Sequence, residues 1–130
     1  MSRGLRRFCR GTFALWACLA LPIVASQAET IGCHITYGGE TRTLAAQSVN
    51  DPYAVPTVQV GSYFLFKLVF EQRTAIKTYV YADRDSGPTP LHQATFTWPP
   101  INSGPHGFTG LHFVYEPVRD GELEYWCELK

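Results

Sequence analysis

A period-two alternation of apolar and polar residues runs through both ends of residues 29–130, and each run carries one cysteine on its apolar phase. Ile31, Cys33, Ile35 and Tyr37 alternate with Gly32, His34 and Thr36; Leu123, Tyr125, Cys127 and Leu129 alternate with Glu122, Glu124, Trp126 and Glu128. A pleated strand sends successive side chains to opposite faces, so both sulfurs face the core with the apolar set. Two cysteines so placed predict one disulfide, Cys33–Cys127. It closes a loop of nearly the whole domain, for which chain entropy gives about 4 to 5 kcal/mol.

The bridge requires an oxidising compartment, and the first 28 residues predict one. Arg3, Arg6, Arg7 and Arg10 form a basic segment, Phe13 to Val24 an apolar run, and Ser26-Gln27-Ala28 a small-residue cleavage site, the three parts of an export signal in order. The apolar run is short of the roughly 20 residues that a spanning helix needs. The chain therefore divides into a cleaved signal, 1–28, which takes Cys9 and Cys18 with it, and a single domain, 29–130, expected in the periplasm or secreted without a membrane span.

Between the terminal runs lie further strands. Gly38-Gly39 turns the first run into a second at Glu40 to Ala45. Tyr63 to Phe70 reads as a central strand with Phe64, Phe66, Leu68 and Phe70 on one face, and Ile76 to Ala82, Gln93 to Trp98 and Leu111 to Tyr115 complete the set. The prolines after position 50 fall between these runs, where a missing ladder donor does no harm. About seven short strands in some hundred residues predict an all-β domain, a two-sheet sandwich in preference to a closed barrel. Gly121-x-Leu123-x-Tyr125-x-Cys127 also resembles the strand of immunoglobulin domains in which a tyrosine precedes the second cysteine by two residues. The resemblance implies a small immunoglobulin-like β-sandwich as architecture and brings no activity with it.

Without the signal the charge is seven lysines and arginines against eleven acidic residues, a net of −4. An acidic domain without a basic cluster is a poor partner for nucleic acid or anionic lipid. Four histidines, His34, His92, His106 and His112, are the side chains suited to copper or zinc. Alternation puts His34 opposite Cys33, puts His112 opposite Leu111 and Phe113, and leaves His92 and His106 in loops. Asp83-Arg84-Asp85-Ser86-Gly87 lacks the downstream carboxylate of a calcium loop and reads as a hairpin turn. No serine lies in a nucleophile context, and Glu122, Glu124 and Glu128 line one outward face around Trp126, so no catalytic residues are expected.

The loops carry the functional expectation. Trp98 to Phe108 is long for a hairpin connection and mixes prolines, aromatics and His106. Tyr53 to Pro56 and Ser86 to Leu91 are expected at the same end. The sequence thus predicts a non-enzymatic binding module without a cofactor, recognising an exported or membrane protein through Tyr53, Trp98, His106, Phe108 and Trp126. The alternative is a copper- or zinc-binding accessory protein built on His34, His92, His106 and His112. The sequence leaves oligomeric state open.

Overall fold

The strands form two four-stranded antiparallel sheets that face each other across one apolar core. The computed structural model describes residues 29–130, and the proposed export signal, with Cys9 and Cys18, lies outside them. Sheet A has the order β2-β1-β8-β7 and sheet B the order β3-β4-β5-β6. The strands are β1 (Thr30–Tyr37), β2 (Glu40–Gln47), β3 (Val58–Val60), β4 (Phe64–Glu71), β5 (Ala75–Arg84), β6 (Gly87–Thr97), β7 (His112–Glu116) and β8 (Gly121–Leu129). The all-β class, the two sheets and the disulfide thus follow the sequence reading.

Local chemistry explains the hairpins. Gly38 and Gly39 take φ of 63° and 82°, the left-handed values that a two-residue turn requires, and join β1 to β2. Arg84 pairs with Gly87 at the tip of the β5–β6 hairpin, so Asp83 to Gly87 closes a hairpin as expected, with Asp85 and Ser86 as its turn. The core takes the predicted faces: Ile31, Cys33 and Ile35 from β1, Phe64, Phe66, Leu68 and Phe70 from β4, and Leu123, Tyr125 and Cys127 from β8.

Cys33 and Cys127 lie directly opposite each other in the β1–β8 ladder and are bonded, S–S 2.05 Å. The bridge therefore joins neighbours within one sheet, whereas the immunoglobulin bridge crosses between sheets. Tyr125, the residue behind the immunoglobulin resemblance, is fully buried, and its hydroxyl reaches Thr78 on the facing sheet at 2.9 Å.

Several expectations need correction. Pro88 and Pro90 lie inside β6, which begins at Gly87 rather than near Gln93. β6 is the edge of sheet B, where a proline removes no donor that a neighbour needs. His92 pairs with Val80 and Pro90 with Tyr81, so Leu91 is the extra residue of a bulge and His92 belongs to a strand, not a loop. Ser86 to Leu91 begins at the sandwich end opposite the 98–111 connection, because the β5–β6 turn lies beside Tyr63 while β6 finishes at Thr97. β3, three residues long, carries too little pattern to be read.

The largest departure is β7. His112, Val114 and Glu116 face inward while Phe113 and Tyr115 face solvent. Directly opposed residues of two strands share a face. Val114 opposes Leu123 and His112 opposes Tyr125, so the inward phase of β8, already fixed by Cys127, fixes that of β7. Glu116 is accommodated by Arg84 from sheet B, whose Nη2 donates to Oε1 at 3.0 Å, and by the Val118 amide at 2.8 Å.

Residues 98–111 do the work of a missing strand extension. β7 pairs with β8 only as far as Tyr125. Beyond it the Phe108 amide donates to the Cys127 carbonyl at 3.0 Å, Thr109 Oγ1 accepts from the Cys127 amide at 2.8 Å, and the Asn102 side-chain amide makes two 3.0 Å bonds to the Leu129 backbone. Gly107 is required for the close approach: a Cβ there would lie 2.1 Å from the Cys127 carbonyl oxygen.

Candidate functional site

The outward face of sheet A gathers exposed aromatic and acidic side chains. On β7, Phe113 is 59% and Tyr115 52% exposed, although a strand normally hides its aromatics. Phe113 stands opposite Glu124 and Tyr115 opposite Glu122 on β8. The Tyr115 hydroxyl donates to Asp120 Oδ1 at 2.6 Å; this bond orients the ring and raises the phenol above its usual pKa. Leu111 and Val118, on either side of β7, are also exposed.

Trp126 continues this face on β8. Its ring stacks on His34 of β1 at 4.0 Å between centroids, and His106 meets its edge at 5.7 Å. His34 Nε2 lies 2.6 Å from Glu128 Oε2, and its Nδ1 lies 3.3 Å from Thr43 Oγ1. Of the five residues that the sequence assigned to binding, Trp126 and His106 therefore meet here. The other three lie elsewhere. Trp98 packs half-buried on Phe70 at 4.6 Å with Arg73 over its ring, and Phe108 packs edge-on to Phe96 at 5.4 Å. Tyr53, in the 3-10 turn Pro52–Ala54, is 93% exposed and borders the outer face of sheet B with Lys67, Tyr79 and Tyr81. Phe113 and Tyr115 are the residues sequence reasoning missed, because alternation alone does not say which phase of a short strand faces in.

The histidines form two separate pairs. His34 and His106 flank Trp126; His92 and His112 meet between the sheets, 5.4 Å apart by ring centroids. The Tyr125 hydroxyl lies 2.6 Å from His92 Nε2, and the Tyr125 ring stacks on His112 at 5.0 Å. His112 Nε2 donates to the Thr109 carbonyl at 3.0 Å, which fixes its tautomer. His92 has its pKa lowered, first by burial and then by the nearby His112. Burial raises that of Tyr125. Contrary to the alternation reading of an outer-face position, His112 is an inward residue. Among the described residues, no group of three or more His, Cys, Asp or Glu side chains could hold a metal ion.

A third feature is a groove of about 560 Å³ between β2 and β4, lined by Leu44, Ala46, Val49, Val55, Leu68 and Phe70. It lies where sheet B thins: β3 covers β4 only from Phe64 to Phe66, and Val49 bridges to Glu71. No helix among the described residues is long and apolar enough to cross a membrane. Comparison with protein-family models, with characterised proteins and with solved structures finds no match for this chain.

Proposed function

We propose that residues 29–130 are an exported binding module, with a recognition rather than a catalytic role, that engages another exported or membrane protein through the outward face of sheet A. The observation that carries this reading is the inverted phase of β7. A five-residue strand that leaves more than half of Phe113 and of Tyr115 in water forgoes roughly half of the about 1.5–3 kcal/mol that full burial of a large apolar side chain is worth, at each ring. A partner recovers it, and aromatic anchors of this kind dominate protein interfaces. In this reading the 98–111 connection supports the face by completing β8 and by setting His106 against Trp126. The immunoglobulin-like character is one of layer architecture, which serves as a rigid platform.

The test is affinity capture from the native envelope with the mature domain and with a Phe113→Ser/Tyr115→Ser variant. Partners retained by the wild type and lost by the variant support the reading; identical capture by both refutes it. A second reading, a copper- or zinc-binding accessory protein, is favoured by one observation, the 5.4 Å approach of His92 and His112. Metal analysis of the same purified samples tests it, and metal content unchanged by His92→Gln/His112→Gln ends it.

A further inference from the structure

Glu122 and Glu124 stand apart from most other acids of the domain. Glu29 pairs with Arg73, Glu71 with Lys77, Glu116 with Arg84 and Glu128 with His34. Asp120 accepts from Tyr115, and Asp51 accepts from the Tyr53 amide. Among the described residues, Glu122 and Glu124 have no basic partner, and they stand directly across from the two exposed rings of β7. Carboxylates and the π-faces of aromatic rings attract the same species, a cation. An anionic or neutral partner would gain from the rings alone and would be repelled by, or indifferent to, the carboxylates beside them.

We propose, building on the binding reading above, that this face takes a cationic extended segment of the partner, with arginine or lysine side chains at alternate positions seated on Phe113 and Tyr115 and held by Glu124 and Glu122. The geometry matches. The two ring–carboxylate pairs are two residues apart along antiparallel strands, which is about 6.8 Å, and side chains at alternate positions of an extended peptide repeat at that same distance. Arginine suits the site better than lysine, because its planar guanidinium stacks on a ring while donating to a neighbouring carboxylate. The net charge of −4 on the mature domain steers such a segment inward from solution.

The test uses a synthetic peptide alternating arginine and threonine, and a glutamate–threonine peptide as its counterpart, titrated onto the isotope-labelled mature domain by NMR and calorimetry. The arginine peptide is expected to shift the backbone amides of Phe113, Tyr115, Glu122 and Glu124 and the glutamate peptide to leave them in place. Glu122→Gln/Glu124→Gln is expected to weaken binding by about tenfold, the sum of two modest charge contacts, since both rings stay in place. Glu40→Gln/Asp85→Asn removes the same charge elsewhere and is expected to change it less than about threefold. Absent binding, shifts centred elsewhere, or equal weakening by both double variants overturns the inference. If Phe113→Ser/Tyr115→Ser abolishes envelope capture while Glu122→Gln/Glu124→Gln leaves it intact, the face is still a binding surface but its occupant is not cationic.

Discussion

Removing the Cys33–Cys127 bond tests the account of stability most directly. The cysteines are separated by 94 positions, so the bond closes almost the entire described chain into a ring. For a loop of that length the chain-entropy relation gives about 4.7 kcal/mol at 25 °C. Small domains have net stabilities of about 5–15 kcal/mol, so the reduced protein should be marginal. Both cysteines are fully buried among apolar side chains, so the suitable variant is Cys33→Ala/Cys127→Ala rather than serine, which would bury a hydroxyl. The assay is urea unfolding of the oxidised protein, the reduced protein and the variant. With a slope of about 1.5 kcal/mol per molar, the midpoint should fall by about 3 M. The slope should also rise on reduction, because an unfolded chain freed of its cross-link exposes more surface. A midpoint change worth less than about 1 kcal/mol, or an unchanged slope, would refute the argument that the bond acts by restricting the unfolded chain.

Four further outcomes are expected. Tyr125→Phe leaves Thr78 and His92 without their shared hydroxyl in the core and should cost about 1–3 kcal/mol by urea midpoint; adding Thr78→Val should recover part of it, and no recovery argues against the network. Because the folded fold holds the His92 pKa below its unfolded value, its contribution is complete above about pH 6.5 and declines as pH falls below that value; His92→Gln should flatten this limb of a stability–pH profile. Hydrogen bonding from Arg84 lowers the pKa of Glu116, so its contribution is present above about pH 4.5 and is lost as pH falls through the lower folded value, a limb that Glu116→Gln should remove. Gly107→Ala, with φ of 60° and a carbonyl in the way, should cost more than about 2 kcal/mol, whereas Gly38→Ala, with φ of 63° and open space, should cost about 1 kcal/mol; equal losses would contradict the close-approach argument.

The parts of the fold legible in the sequence are those set by local pattern. Alternation through Ile31, Cys33 and Ile35 and through Leu123, Tyr125 and Cys127 defines two strands and their inward faces, and Gly38-Gly39 defines a turn, because each signal lies within a few residues. What could not be read depends on partners distant in sequence. The facing of Phe113 and Tyr115 is decided by register against β8, and the burial of Glu116 by Arg84 on the other sheet. Pro88 and Pro90 read as strand breakers until β6 is known to be an edge. Trp98 and Phe108 read as loop aromatics free for a partner, yet Trp98 packs on Phe70 where its amide still reaches the Thr74 carbonyl, and Phe108 packs on Phe96 where its amide reaches β8. Trp126 was legible as an outward residue; the rings beside it on β7 were not.

The bond between the first and last strands also decides how the domain meets a mechanical pull. Its two ends emerge side by side, with the Lys130 amide donating to the Thr30 carbonyl at 2.9 Å. Tension applied at both ends peels β1 from β8 one rung at a time, and three residues in from Thr30 it reaches Cys33 and its partner Cys127. From there the force passes through a covalent link and bypasses everything between. Tugged at both ends, the domain would loosen at its hem, Ile31 included, while the rest of its core and the face on β7 and β8 stayed slack.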